Sequence, residues 1–227
     1  MAAMSPRQVR VEIIAWLAAI LPLAAGNLAY LISASQGLVP WCIPYVEGCT
    51  SVSRAARSGD ANVLFRSLML PYSVVLAAFW WLTAHWLRGF LPDRRRTPVA
   101  LIVLGLAAAV ATAAYAAVLG VDGEFYQWMR RYGINFSFAF TVLNEILLTN
   151  LLARDARLPR NLRRAMVGMC LAMLLLGLAS IPLQYFTSSR SPAMNAVEWV
   201  YSVLMVSFFP LVAIAWRRTR FTVREPF

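Results

Sequence analysis

The chain has 227 residues, of which 60% are hydrophobic and 14% are charged, with a formal net charge of +11. The hydrophobic residues form six long, predominantly apolar segments, which exclude a water-soluble fold because so much apolar surface would be exposed. The positive charge does not indicate nucleic-acid binding, since the arginines lie in short connectors rather than on one folded basic domain. The arginines are better explained as signals that set the orientation of the spans in the membrane and as contacts to anionic lipid headgroups.

In chain order, each apolar segment is about as long as the roughly 20 residues that a helix needs to cross a bilayer core. We therefore predict an all-α polytopic membrane protein, a six-transmembrane-helix bundle that forms a single transmembrane domain over residues 1–227. The predicted spans are 12–33, 63–87, 98–119, 134–153, 165–186 and 196–216.

All 21 basic residues are arginine, and their distribution over alternating sides is unequal. One side of the membrane receives Arg7, Arg10, Arg88, Arg94, Arg95, Arg96, Arg154, Arg157, Arg160, Arg163, Arg164, Arg217, Arg218, Arg220 and Arg224. The other side receives Arg54, Arg57, Arg66, Arg130, Arg131 and Arg190. Because short cytoplasmic loops collect positive charge, this pattern predicts that both termini are cytoplasmic.

The longest connector, residues 36–62, follows the first span and carries two cysteines, Cys42 and Cys49. Its aromatic and apolar content, including Trp41 and Tyr45, predicts a loop packed on the mouth of the bundle. A disulfide between the cysteines suits an oxidising compartment, but two unpaired thiols remain an equal alternative from the sequence. The third cysteine, Cys170, lies within the fifth span and is expected to pack as a small apolar residue.

The connector over residues 121–132 alternates aromatic with charged residues. This pattern is typical of an interfacial turn or short amphipathic helix, with Phe125, Tyr126 and Trp128 at headgroup depth. We interpret it as a structural anchor, with headgroup binding as the alternative.

The fourth span contains a polar face near its midpoint, formed by Asn144 and Glu145 with Thr141 and Thr149 one turn to either side of the glutamate. An ionisable group at this depth costs about 2.5 to 3.5 kcal/mol on insertion scales, so such groups usually have a role. We expect the face to point inward, with a neutral carboxyl as the default because burial disfavours the charged form. Two roles stay open for Glu145: a proton-linked or headgroup-binding carboxylate, and a hydrogen-bonding contact between helices.

Other polar positions give weaker indications. Arg66 and Glu198 begin near the same end of their spans, and we hypothesise that they pair. The prolines at 71, 182 and 210 are consistent with helix kinks. A single histidine, His85, cannot build a histidine-rich metal site, and phosphate-binding loops and hydrolase motifs are missing, so we predict neither a metal site nor a cofactor.

At the level of the whole chain, the sequence resembles the Frag1/DRAM/Sfk1 family of six-span membrane proteins. The resemblance rests on the topology and on the long first loop with its Pro44-Tyr45-Val46-Glu47-Gly48 run, in which Glu47 stands where family loops generally have serine. It also rests on the stretch from Asp122 through the fourth span and on Glu198-Trp199 at the start of the last span. It implies a role in lipid biology, such as lipid-anchor remodelling, lipid distribution between leaflets or autophagy, and no defined catalytic mechanism.

The sequence therefore favours a lipid-interacting or lipid-remodelling accessory protein, with membrane lipids as partners and a homo-oligomer or a membrane-protein partner left open. The expected lipid-binding residues are Asn144, Glu145, Thr141, Thr149, Glu198, Arg66, Tyr45 and Glu47. The first alternative is a small proton-coupled transporter with a midplane site at Glu145 and Asn144. The second is an intramembrane lipid-modifying enzyme, although no enzymatic activity is predicted. The expected location is the plasma or inner membrane for a bacterial chain, which the arginine-only basic set indicates, and an endomembrane for a eukaryotic one.

Overall fold

The computed structural model describes residues 8–9, 11–92, 96–186 and 191–224. Arg7, Arg10, Arg94, Arg95 and Arg190, which enter the charge count, lie outside these residues. The helices are α1 (Glu12–Ser35), α2 (Val52–Ala55), α3 (Gly59–Phe90), α4 (Arg96–Ala117), α5 (Glu124–Leu152), α6 (Arg160–Phe186), α7 (Pro192–Val206) and α8 (Phe208–Arg218). A short antiparallel pair of strands, β1 (Gln8–Val9) and β2 (Val223–Arg224), completes the fold.

Six helical segments within the described ranges are long and apolar enough to cross a membrane, which confirms the predicted all-α class and number of spans. They are Glu12–Ser35, Gly59–Phe90, Arg96–Ala117, Glu124–Leu152, Arg160–Leu183 and Pro192–Arg218. Helix α3 is the longest, and Pro71 lies within it without interrupting it. This continuity is possible because neighbouring groups in a bundle can satisfy the backbone carbonyl that a proline leaves unpaired.

The fourth span begins ten residues earlier than predicted. Residues 121–132 were expected to form a separate interfacial turn or short helix, but α5 runs without a break from Glu124 to Leu152. Helix α5 contains one glycine, Gly133, a residue type that weakens helices. Gly133 packs against α4, where an added Cβ would lie 3.2 Å from the Ala111 carbonyl oxygen. The glycine therefore permits a close helix–helix approach and does not end the helix.

The sixth span is divided in two. Helix α7 ends at Val206, and α8 begins at Phe208 after the single residue Ser207. Pro210 explains the division, because a proline lacks an N–H and its ring clashes with the carbonyl four residues earlier, here that of Val206. The predicted distortion at Pro210 is thus a break between two helices.

The two short strands meet at one end of the bundle, where Gln8 pairs with Arg224 and Val9 with Val223. The indole N–H of Trp86, near the end of α3, donates to the Thr219 hydroxyl at 3.0 Å beside this pairing. We call this the terminal end of the bundle, and we call the opposite end, which carries the loop over residues 36–58, the loop end.

Large aromatic side chains fill the centre of the bundle towards the terminal end. The ring of Phe79 lies 4.9 Å from that of Trp80 and 4.8 Å from that of Phe209, and Trp216 packs on the same cluster. Helix α4 approaches α3 closely here because Gly105 has no side chain, and an added Cβ would lie 2.4 Å from the Cβ of Trp80. Helix α6 is the least buried of the six spans.

Candidate functional site

The first turns of α7 hold the backbone of the long loop. Asn195, Glu198 and Trp199 share one face of the helix because they are three and four residues apart. The Asn195 side chain donates to the Gly48 carbonyl at 2.8 Å, the Trp199 indole N–H donates to the Thr50 carbonyl at 2.9 Å, and the Ser53 N–H donates to Glu198 Oε1 at 3.4 Å. We call these three side chains the α7 clamp. Because Trp199 and Asn195 are buried, the clamp fixes residues 48–53 on the bundle.

The loop is also attached to α1. Cys42 and Cys49 form a disulfide with a Cα–Cα distance of 6.4 Å, which resolves the alternatives left open by the sequence. The Tyr30 hydroxyl donates to the Cys42 carbonyl at 2.8 Å and accepts the Cys42 N–H at the same distance. The Tyr45 hydroxyl donates to Asn27 Oδ1 at 2.9 Å, and its ring lies 5.2 Å from that of Trp199. The prediction of a packed loop is therefore confirmed, and Tyr45 has a structural contact at the position where lipid contact was expected.

Two other predicted site residues lie apart from this arrangement. Glu47 is exposed and accepts the Ile43 N–H at 2.6 Å, which closes a turn within the loop. The hypothesised Arg66–Glu198 ion pair is wrong: within the described ranges, the two residues form no salt bridge. The cationic side chains whose charge reaches Glu198 are instead those of Arg54 and Arg57, because the loop brings α2 over the start of α7.

A cavity of about 70 Å³ lies beneath the fixed loop, which is room for a few water molecules. Its walls are mostly apolar, with polar groups supplied by Glu198, Ser202, Tyr72, Tyr115 and a hydroxyl pair on α4 and α5. That pair, Thr112 and Ser137, is hydrogen-bonded at 2.6 Å. The remaining lining residues are Pro22, Val52, Phe65, Met69, Ile134, Phe138, Met205 and Val206.

The polar face of α5 is buried, as predicted. Glu145 and Asn144 have no exposed surface, and Thr141 and Thr149 are 1% and 7% exposed. The Asn144 amide donates to the Leu101 carbonyl on α4 at 3.1 Å, and the Thr149 hydroxyl lies 3.3 Å from the thiol of Cys170 on α6. Two other asparagines of α5, Asn135 and Asn150, are exposed on other faces of the helix.

Glu145 does not line the cavity, but polar residues connect the two. Ser137 lines the cavity, and Thr141 and Glu145 follow at successive intervals of four residues, so the three side chains share one face of α5. Tyr72 lines the cavity and is also reached by the charge of Glu145. A row of polar groups thus leads from the loop end to the middle of the bundle.

A second feature, which we call the α4–α5 groove, lies on the outer face of the bundle. It has a volume of about 550 Å³. Its lining consists of Leu106, Ala107, Val110, Ala111 and Ala114 of α4 and Trp128, Met129, Tyr132, Gly133, Phe136 and Phe140 of α5. The α5 wall is a row of rings at intervals of four residues, with centroid separations of 3.9, 6.1 and 5.8 Å from Trp128 through Tyr132 and Phe136 to Phe140. Small alanines on α4 form the floor.

Neither the groove nor the α7 clamp was predicted from the sequence. The groove could have been predicted, because aromatic residues recur every four positions at 128, 132, 136 and 140 of a helix that starts at Glu124. The clamp could not, since it joins residues that are 145 to 149 positions apart in the chain.

No protein-family model, no curated protein and no solved structure matches this chain.

Proposed function

We propose that this chain is an integral membrane protein that binds a membrane lipid in an accessory or remodelling role, as its resemblance to the Frag1/DRAM/Sfk1 family implies. The α4–α5 groove carries the proposal. Its lining is almost entirely apolar, it faces the surroundings of the bundle, and Gly133 within it lets α5 approach α4 closely.

The occupant that fits the groove is one hydrocarbon chain of a lipid. Alanine side chains leave space along α4, and flat rings along α5 offer a large contact surface at little cost in conformational entropy. Trp128 and Tyr132 lie towards the loop end of the groove, and such residues favour the headgroup region of a bilayer. Arg131 is exposed beside them and supplies a positive charge for an anionic headgroup.

The loop end belongs to the non-cytoplasmic side in this proposal. Support comes from the excess of arginine on the other side and from the disulfide, which forms in an oxidising compartment. The pairing of β1 with β2 brings the strand before the first span and the strand after the last span together, as an even number of spans requires. The lipid would then come from the non-cytoplasmic leaflet of the plasma or inner membrane if the chain is bacterial.

Lipid retained by the purified protein tests the proposal through two matched variants of α4. Val110 lines the groove, whereas Val103 does not, yet both are on one face of the helix and are 69% and 60% exposed. Val110→Trp fills part of the groove, so we expect native mass spectrometry to show at least a twofold loss of bound lipid. Val103→Trp should retain as much lipid as the unchanged protein. Equal retention by both variants would remove the groove as the lipid site.

A second candidate, a cation-coupled carrier, is favoured by one observation: Glu145 is fully buried and neither of its carboxyl oxygens has a hydrogen-bond partner among the residues that the structure describes. Coupling-ion sites of secondary transporters lie near the bilayer midplane between helices. If the chain is such a carrier, Glu145→Gln abolishes ion-dependent flux in liposomes while lipid retention is unchanged.

A further inference from the structure

We propose that Thr141, Asn144 and Glu145 of α5 bind one monovalent cation, Na⁺, in the middle of the bundle. The inference does not depend on lipid binding, and it requires no transport. If the chain is a carrier, this cation is its coupling ion, in place of the proton expected from the sequence.

The first support is a group of buried oxygen atoms without partners. Four buried oxygens have no hydrogen-bond partner within the described ranges: both carboxyl oxygens of Glu145, the side-chain oxygen of Asn144 and the hydroxyl of Thr141. Thr141 is three residues from Asn144 and four from Glu145, so its side chain neighbours both on the surface of the helix. Because buried polar groups are nearly always paired, several orphan oxygens on adjacent turns indicate a missing ligand.

The second support is the charge of the site. An ionised carboxylate in a low-dielectric interior is strongly destabilised unless a positive charge compensates it. The titratable groups that interact with Glu145 are Tyr72 of α3, Cys170 of α6 and Tyr201 of α7, and none of them is cationic. Within the described residues, Glu145 has no salt bridge to an arginine, and the chain has no lysine. An ionised Glu145 therefore takes its compensating charge from a bound cation, whereas a neutral Glu145 holds a proton.

The charge also sets the valence of the ion. One carboxylate balances one monovalent cation, whereas a divalent cation would leave a net positive charge inside the bundle. No group of three or more His, Cys, Asp or Glu side chains able to hold a metal occurs among the residues described. Carboxylate, amide and hydroxyl oxygens are hard ligands, which suit hard cations.

Na⁺ and a proton differ in how many of these oxygens they can serve. A proton on Glu145 creates a single O–H donor, which serves one acceptor. The side-chain oxygen of Asn144 can only accept, and the amide nitrogen of that residue donates to the Leu101 carbonyl. One cation interacts with lone pairs of several oxygens at once, which suits a site whose carboxyl, amide and hydroxyl oxygens lack partners among the described residues.

A path to the site also exists. The cavity beneath the loop has Ser137 in its lining, two helical turns from Glu145. The polar row Ser137, Thr141 and Glu145 leads inward from that cavity. The cation would exchange at the loop end.

Thermal unfolding of the full chain in detergent tests the proposal, with NaCl compared with choline chloride at equal ionic strength. A ligand that binds only the folded state raises the unfolding temperature. We expect Na⁺ at about 150 mM to raise it by about 2–4 °C, the shift expected of a weakly bound ligand on a chain of this size. Glu145→Gln should lose the Na⁺ shift, whereas Glu124→Gln, the same change at an exposed position of α5, should keep it.

Asn144→Ala and Thr141→Val serve as further variants if Glu145→Gln does not fold, and each should weaken the Na⁺ shift at least threefold. Unfolding of the unchanged protein that is independent of Na⁺ would overturn the proposal without any variant. So would stabilisation by acid alone that disappears in Glu145→Gln, because that result would show that the carboxyl holds a proton.

Discussion

Gly48→Ala adds a single methyl group where the loop contacts α7. Gly48 has φ +61°, a left-handed conformation, and an added Cβ would lie 1.7 Å from the Pro192 carbonyl oxygen at the start of α7. Neither the carbonyl nor the helix can move aside easily. We expect the loop to shift away from α7 and the hydrogen bonds of the α7 clamp to break.

The magnitude follows from a comparison with Gly37→Ala. Gly37 has φ +71° and nothing within 4 Å of an added Cβ, so the two substitutions share the left-handed strain of about 1–2 kcal/mol. Only Gly48→Ala also disrupts the three clamp hydrogen bonds, each of which contributes about 0.5–1.5 kcal/mol. Gly48→Ala should therefore lower the free energy of unfolding by about 2–4 kcal/mol more than Gly37→Ala.

Thermal unfolding in detergent, followed by tryptophan fluorescence, measures the difference. A gap of about 2–4 kcal/mol corresponds to an unfolding temperature at least about 4 °C lower for Gly48→Ala than for Gly37→Ala. Trp199 reports directly on the clamp, because its indole N–H is hydrogen-bonded to the loop. Equal unfolding temperatures for the two variants would refute the idea that the clamp holds the loop.

Two further predictions concern helix packing and a surface ion pair. Gly105→Ala brings a Cβ to 2.4 Å from that of Trp80 and should lower the free energy of unfolding by about 1–3 kcal/mol, as measured by thermal unfolding. Gly168→Ala adds a Cβ in open space and should not lower it. Equal effects of the two substitutions would contradict the close approach of α3 and α4. The hydrogen-bonded Arg157 side chain lowers the pKa of Asp155, so the stabilisation by this carboxylate is present above about pH 4 and is lost as the pH falls through the folded pKa. Asp155→Asn should reduce the free energy of unfolding by at most about 1 kcal/mol at pH 7. In acid, the variant and the unchanged protein should be equally stable. A difference in stability that persists at low pH would exclude the ion pair as its cause.

Helix number and the inward side of α5 could be predicted because both depend on local sequence. An apolar run of bilayer length predicts a span whatever surrounds it. Likewise, Thr141, Glu145 and Thr149 recur every four residues, so burial of one predicts burial of the others. The expected start of the fourth span was wrong because the aromatic and charged residues at 124–132 lower the hydropathy of the helix without interrupting it.

The partners of the buried polar groups could not be predicted, because they depend on which helices become neighbours. Arg66 and Glu198 lie near the same end of their spans, yet depth alone does not determine the rotation of a helix about its axis. The loop instead brings Arg54 and Arg57 to Glu198 and gives its carboxylate the Ser53 N–H. A span of about 20 apolar residues says nothing about such contacts.

Glu198 and Glu145 show why polar residues in spans need individual treatment. Both are carboxylates in apolar helices, and the sequence assigns both to lipid binding. Glu198 faces the loop and is compensated by a backbone N–H and nearby arginines, so its role in holding the loop accounts for it. Glu145 has no such partner among the described residues. Since a buried carboxylate without compensation is unstable, Glu145 is the position at which the fold requires something that the chain itself does not supply.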